Sequence, residues 1–197
     1  MNPWDERYST PDYAYGTQPN DFLAEQFACI PAGGRVLCLA DGEGRNGVFL
    51  ARQGYEVTSV DLSRVGLEKA AKLAQKHGVS LQPVHADLAQ YSLGTEQWDG
   101  IVSIFCHLPS TIRQRLYPQI PTSLKAGGVF VLEAYTPAQL AYSTGGPKDA
   151  DMLMNTQKLQ TELPGLHFSL LREVQRNIVE GSLHTGLACV VQAIARR

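Results

Sequence analysis

The feature that most constrains this chain is a repeated one: an apolar run of strand length that stops at a glycine or an acid, followed by residues with helical spacing. Repetition of that order predicts βαβ units, and hence a parallel sheet covered by helices on both faces. Arg35 to Ala40 is the first such run. It enters the turn Asp41-Gly42-Glu43-Gly44-Arg45-Asn46-Gly47, and a helix through Val48-Phe49-Leu50-Ala51 stops at Gly54. Glu56 to Val60 is the second strand. Ser63 then predicts the N-cap of a helix whose apolar positions Leu67, Ala70, Ala71 and Ala74 share one face, with Gly78 closing it. Leu81 to His85 is the third strand, and Trp98 to Phe105, apolar throughout, is a fourth strand central to the sheet. Ser110 opens a helix that Pro118 and Pro121 kink or divide. Ala126-Gly127-Gly128 turns into a fifth strand, Val129 to Tyr135.

The remaining third changes character. Residues 136–155 carry Gly, Pro and Ser and predict a loop or lid, and a short helix follows from Thr156 to Leu163. Leu166 to Glu180 and Leu183 to Arg196 predict an antiparallel hairpin around Glu180-Gly181-Ser182, bulged near Leu170 and Leu171. Glu180 and His184 flank its turn and are expected in solvent. Residues 1–30, rich in Tyr, Pro and Asn, stand apart from the sheet within a single domain spanning 1–197.

Charge narrows the partners. Lys and Arg number 17 against 19 Asp and Glu, a net charge of −2, so no basic field draws a nucleic acid or an anionic membrane, and a small-molecule partner is expected. The longest apolar run, Leu187 to Val191, is far shorter than the roughly 18 residues of a membrane span. Met1 to Glu6 has no basic and apolar signal pattern, so a cytoplasmic address is expected. Cys29, Cys38, Cys106 and Cys189 are dispersed and read as reduced packing residues, with no metal site.

In an open parallel sheet, ligands bind beyond the carboxyl ends of the strands. The stations there are the Gly-rich turn, Asp61, Asp87, Cys106-His107 and Glu133-Ala134-Tyr135, and four of the five carry an acid. Gly42-x-Gly44-x-x-Gly47, with Asp61 19 residues after Gly42, matches a dinucleotide fingerprint, so a NAD(P)-dependent oxidoreductase is one reading. Asp41 and Glu43 argue against it, because carboxylates beside a diphosphate repel it. S-adenosylmethionine has a sulfonium and an ammonium and no phosphate. An acidic turn attracts it.

These residues resemble class I S-adenosylmethionine-dependent methyltransferases, in particular small bacterial tellurite-resistance-type ones. The resemblance rests on Val36-Leu37-Cys38-Leu39-Ala40-Asp41-Gly42-Glu43-Gly44-Arg45-Asn46, on Val60-Asp61-Leu62-Ser63, on Ala86-Asp87-Leu88, and on Leu124-Lys125-Ala126-Gly127-Gly128. It implies a Rossmann-like, doubly wound sheet of order 3-2-1-4-5-7-6 with strand seven antiparallel. The implied cofactor contacts are Asp41, Gly42, Gly44, Arg45 and Asn46 in the turn, Asp61 and Leu62 at the ribose, and Ala86, Asp87 and Leu88 at the adenine. Phe105 and Tyr15 complete that set. Where the wider family has an acid and then Gly, this chain has Cys38 and Ala40, and Asp41 either supplies the displaced charge to the ammonium or faces solvent.

The segment from Trp4 to Tyr8 and from Tyr13 to Gly16 resembles one that folds over the cofactor in tellurite- and thiopurine-type relatives. Its rings could form a cation–π contact with the sulfonium. His107 is the candidate base or acceptor-orienting group, and Tyr8 and Tyr135 are further catalytic candidates. A thiol or soft oxyanion acceptor needs no base. Gly-x-x-x-x-Gly-Lys, Gly-x-Ser-x-Gly and Asn-Pro-Pro-Tyr are all absent. A non-catalytic cofactor-binding sensor is the other reading from a different class.

Overall fold

In a computed structural model describing residues 2–197, seven strands form one sheet in the order β3-β2-β1-β4-β5-β7-β6. The strands are β1 (Arg35–Leu39), β2 (Glu56–Asp61), β3 (Gln82–His85), β4 (Trp98–Ile104), β5 (Leu124–Tyr135), β6 (His167–Glu180) and β7 (His184–Arg196). β1 pairs in parallel with β2 and β4, whereas β7 runs antiparallel to both β5 and β6. Order and direction are those expected. The predicted turn before the fifth strand is absorbed into β5, where the pairing with β4 jumps from Trp98 opposite Leu124 to Gly100 opposite Val129. Left-handed Gly127 (φ 76°) lies within that jump.

Alternation along the strands decides what covers each face. Leu37 and Leu39 of β1, Phe130 and Leu132 of β5 and Val191 and Ala193 of β7 share a core with Leu116, Ile120 and Leu159. Those partners come from α5 (Ser110–Leu116), α6 (Gln119–Ser123) and α7 (Thr156–Glu162). Val36, Cys38, Val102, Val129 and Val131 point the other way, onto Phe22, Leu23 and Leu50. These belong to α2 (Asp21–Gln26) and α3 (Arg45–Arg52). Burying a Leu, Val or Phe side chain is worth roughly 1.5–3 kcal/mol, so both faces contribute. Ser63 accepts from the Gly66 N–H and caps α4 (Arg64–Lys76), as its sequence predicts. The expected division of the fourth helix falls at Pro118, between α5 and α6.

Residues 1–30 hold two short helices that the sequence did not announce, α1 (Pro3–Tyr8) and α2. Asn2 caps α1 and Asn20 caps α2. Lys69 of α4 gathers the carbonyls of Tyr8, Thr10 and Asp12 at 3.3, 3.0 and 2.6 Å, which fixes the path of this segment across the sheet's carboxyl edge. Cys38, Cys106 and Cys189 are buried, Cys29 is half-buried, and all four are free thiols. Among the described residues no helix is long and apolar enough to cross a membrane, and no group of His, Cys, Asp and Glu could hold a metal ion.

Candidate active site

The strand order reverses between β1 and β4, and there the backbone is strained. Ala40 ends β1 at φ 49° and Phe105 ends β4 at φ 50°, left-handed conformations that cost a side-chain-bearing residue about 1–3 kcal/mol each. Both border a cavity of about 630 Å³ at the carboxyl edge of the sheet. The loops after β1 to β4 form its floor. Trp4, Arg7, Tyr8, Tyr15 and Gly16 cover it, and Gly145 to Pro147, Leu183 and His184 close the far end.

Asp61 sits at the end of β2, and only 6% of it is exposed. Its Oδ2 accepts from the Gly42 N–H at 2.8 Å, and its Oδ1 accepts from the Ser63 N–H at 2.7 Å. Burial raises its pKa, and these backbone donors oppose the rise. Each oxygen keeps a lone pair for a further donor. Asp87 is exposed after β3, with one oxygen accepting from the Ala89 N–H. Leu62, Leu88 and Phe105 supply apolar wall, as expected of a ribose and adenine site.

The turn itself is arranged differently from its sequence reading. Asp41 does not face solvent: its Oδ1 accepts from the Gly47 N–H at 3.2 Å in the first turn of α3, and its Oδ2 accepts from the Ser59 hydroxyl at 2.7 Å. The helix terminus that would take a diphosphate already holds a carboxylate. Glu43 is buried, paired with Lys69 at 2.5 Å and accepting from the Ala14 N–H, so it anchors the amino-terminal segment and adds no free charge to the cavity. The open negative charge thus comes from Asp61 and Asp87, a correction to the expectation that placed it on Asp41 and Glu43. Arg45 is committed to Glu180 at 2.8 Å, and Asn46 accepts from the Asn20 N–H. Gly42 borders the cavity beneath Tyr8, where a Cβ would come 2.7 Å from the Tyr8 hydroxyl. Gly44 and Ala86 are not part of the cavity wall.

Burial pushes Asp41 up from 3.8 to about 6, its hydrogen bonds opposing the shift. The folded state therefore binds a proton more readily than the unfolded chain. Stability falls as pH rises from about 4 to 6 and stays lowered above that window. Asparagine would keep the Gly47 contact and let Ser59 reverse its hydrogen bond. Asp41→Asn is expected to raise the unfolding free energy at pH 7 by about 1–3 kcal/mol and to flatten its dependence between pH 4 and 6. Urea titrations across that range check it.

The catalytic candidates separate. Tyr8 is almost wholly buried, stacked on Trp4 at 5.9 Å, and borders the cavity. Tyr135 does not border it: the ring lies against Gly145 and Gly146, and its hydroxyl has no hydrogen-bond partner among the described residues. Glu133 is likewise inside the protein and accepts from Asn20, Arg176 and Gln192. His107 does border the cavity, but its Nε2 accepts from the Tyr135 N–H at 3.0 Å, and burial followed by the nearby His184 pushes it down to about 3. It stays neutral and presents an Nδ1–H. It is an orienting donor, not a base.

Glu180 and His184 contradict the solvent expectation. They are 5% and 9% exposed, and His184 forms part of the cavity wall. Gly181 turns the hairpin tip against the backbone of Ala14 to Gly16, so the amino-terminal segment covers what the sequence leaves open. Strand phase carried the signal: Glu180 shares parity with buried Ile178, and His184 shares it with buried Ala188 and Val190.

Residues 36–128 match the family model described as a methyltransferase domain. A curated relative, the putative methyltransferase YqeM of Bacillus subtilis (strain 168), is 28% identical over 137 residues, 64% of this chain. The chain spans about half the length of that relative, 53%. A chain solved in connection with the conversion of a disulfide bond into a thioacetal group during echinomycin biosynthesis superposes with a TM-score of 0.76 at 18% identity, covering 100% of this chain and 86% of its own. TehB from Haemophilus influenzae gives 0.71 at 18% identity, with 98% and 65% covered. The family match and the strand order agree on a class I, S-adenosylmethionine-dependent methyltransferase domain.

Proposed function

We propose that this chain transfers a methyl group from S-adenosylmethionine to a small-molecule acceptor that reacts through a soft nucleophilic atom, a thiol or a soft oxyanion. The observation that carries the reading is Asp61: a buried carboxylate at the end of β2, fixed by two backbone N–H groups and bordering the cavity. The residues fit the cofactor. Asp61 would accept from the ribose hydroxyls, Asp87 from the adenine amino group, and Leu62, Leu88 and Phe105 would pack against the base. Tyr8 would lie over the turn at Gly42 and enclose the polar end. The bound cofactor supplies an activated methyl group on a cationic sulfur.

What the chain adds is placement. Holding a nucleophile in line about 3 Å from the methyl supplies much of the rate. The amino-terminal segment and the loop around Gly145 to Pro147 exclude water from the cavity, and the His107 Nδ1–H orients the acceptor. Thiochemistry in the echinomycin-associated neighbour and the name of TehB favour a sulfur or chalcogen acceptor, and support the tellurite-resistance-type likeness. The cavity is of ordinary small-ligand size, with no basic surface run beside it that would suit a nucleic acid.

Tritiated methyl transfer from S-adenosylmethionine to a panel of thiols, phenols, selenite and tellurite tests the activity. Label in any of these products supports it, and binding without transfer to any member contradicts it. Asp61→Ala is expected to weaken cofactor binding at least about tenfold, because a hydrogen bond to a charged group is worth roughly 1.5–3 kcal/mol. Calorimetry with S-adenosylhomocysteine checks this, and unchanged affinity removes Asp61 from the site.

A further inference from the structure

His107 and His184 both border the acceptor end of the cavity, and their surroundings give them opposite roles. The lone pair of His107 is spent on the Tyr135 N–H. His184 has no partner for Nε2 among the described residues. Its other nitrogen, Nδ1, lies 3.5 Å from Glu180 Oε2, long for a neutral hydrogen bond and within ion-pair reach once the ring is protonated. Catalytic hydrogen bonds are often this loose before the substrate arrives.

Glu180 is unusually well held for an orienting group. Its Oε2 also accepts from Arg45 Nη2 at 2.8 Å, and its Oε1 accepts from Asn20 Nδ2 at 2.8 Å. Burial alone would raise its pKa, but the bonds from His184, Arg45 and Asn20 outweigh it and bring Glu180 to about 2. It is therefore an anion across the working range. An anion at Nδ1 draws the ring proton to that atom and leaves the Nε2 lone pair available. The ring is also boxed in: Tyr15, Phe105 and Tyr135 lie 4.5, 5.1 and 5.4 Å away between centroids. The charged or titratable groups around it are Glu180 and Arg176 on β6, Arg45 on α3, Tyr15 on the amino-terminal segment, Tyr135 on β5 and His107 after β4.

We infer that His184, positioned by Glu180, is the proton acceptor for a methyl acceptor that enters still carrying its proton, a thiol or a phenol. This rests on the methyltransferase reading above. As the bond from the acceptor atom to the methyl carbon forms, the carbon–sulfur bond breaks and its electron pair goes to sulfur. The acceptor's proton passes to His184 Nε2, and the resulting imidazolium is paired with Glu180. Water takes the proton after the product leaves. His184 is the catalytic residue; Glu180 is a positioning residue, and Arg45 links it to the turn that precedes α3.

Nitrogen-15 NMR of histidine-labelled protein loaded with S-adenosylhomocysteine tests this without any acceptor. The neutral His184 ring is expected to carry its proton on Nδ1, and Glu180→Gln to lose that preference. A proton on Nε2 in the wild-type protein overturns the inference, as does a tautomer indifferent to Glu180→Gln. Kinetics with phenol and thiophenol as probes add a second readout. His184→Asn is expected to lower methyl transfer to phenol about 100-fold, to remove the acid limb of its pH profile, and to affect ionised thiophenolate far less. Equal losses with both probes, or no loss with phenol, overturn it. Failure of the methyltransferase reading shows separately, as wild-type protein that does not bind S-adenosylhomocysteine.

Discussion

Glu133→Ala is expected to cost the fold about 3–5 kcal/mol, the penalty of removing one partner from a buried ion pair. Glu133 lies wholly inside, on the central strand β5, and each of its oxygens accepts two hydrogen bonds. Oε1 takes Asn20 Nδ2 at 2.8 Å and Arg176 Nη2 at 2.6 Å; Oε2 takes Gln192 Nε2 at 2.6 Å and Arg176 Nε at 3.1 Å. Alanine strands all these donors. Asn20 is fully buried, and Gln192 nearly so, and neither can turn to water without opening the sheet. Asn20 also donates to Glu180, so the damage reaches the cavity through α2 and the hairpin. Urea denaturation measures the loss, and Glu133→Gln, which keeps half the acceptors, should fall between the two. A loss under about 1 kcal/mol would mean the network contributes little beyond surface pairs.

Gly44→Ala is expected to cost about 2–5 kcal/mol, from two separate causes. Gly44 has φ 83°, where an L side chain pays about 1–2 kcal/mol. A Cβ there would also lie 2.4 Å from the Cβ of Ala70 and 2.8 Å from its Cα, so α4 itself would have to move, an overpacking cost of about 1–3 kcal/mol. Thermal unfolding of Gly44→Ala beside Gly44→Ala/Ala70→Gly separates the two: the double variant should recover the packing part and keep the conformational part. Equal losses in both would leave only the conformational cost. Gly44 belongs to the sequence motif because α4 packs onto the turn there, although it stands behind the cavity wall.

Much of the fold was legible because the strands are nearly uniform in hydrophobic character and end in residues with few conformational options. Ser63, Gly54 and Gly78 mark helix ends by local chemistry, and the structure uses each of them so. The bulge expected near Leu170 falls between Phe168 and Leu170. The short helices α1 and α2 were not legible: six residues carry too little periodicity, and α1 and α2 depend on asparagine caps and on Lys69 far along the chain.

The site was legible by station and misread by charge. Strand ends named Asp61, Asp87 and His107 correctly as cavity residues, since the end of a parallel strand fixes where its next residue goes. Spacing could not say that Lys69 neutralises Glu43, that Asp41 turns under its own helix, or that a backbone N–H occupies His107. Those are tertiary contacts between segments tens of residues apart. Glu180 and His184 were set aside because hairpin tips usually face water; the amino-terminal segment covers this one.

The central claim is that a cavity whose open charges are Asp61 and Asp87, and whose helix terminus is capped by Asp41, accepts a cationic methyl donor and refuses a diphosphate. Parallel calorimetric titrations of the wild-type protein with S-adenosylmethionine and with NADH test it directly. Saturable one-to-one binding of S-adenosylmethionine with no heat from NADH is the predicted result, and NADH binding, or no response to S-adenosylmethionine, would contradict it.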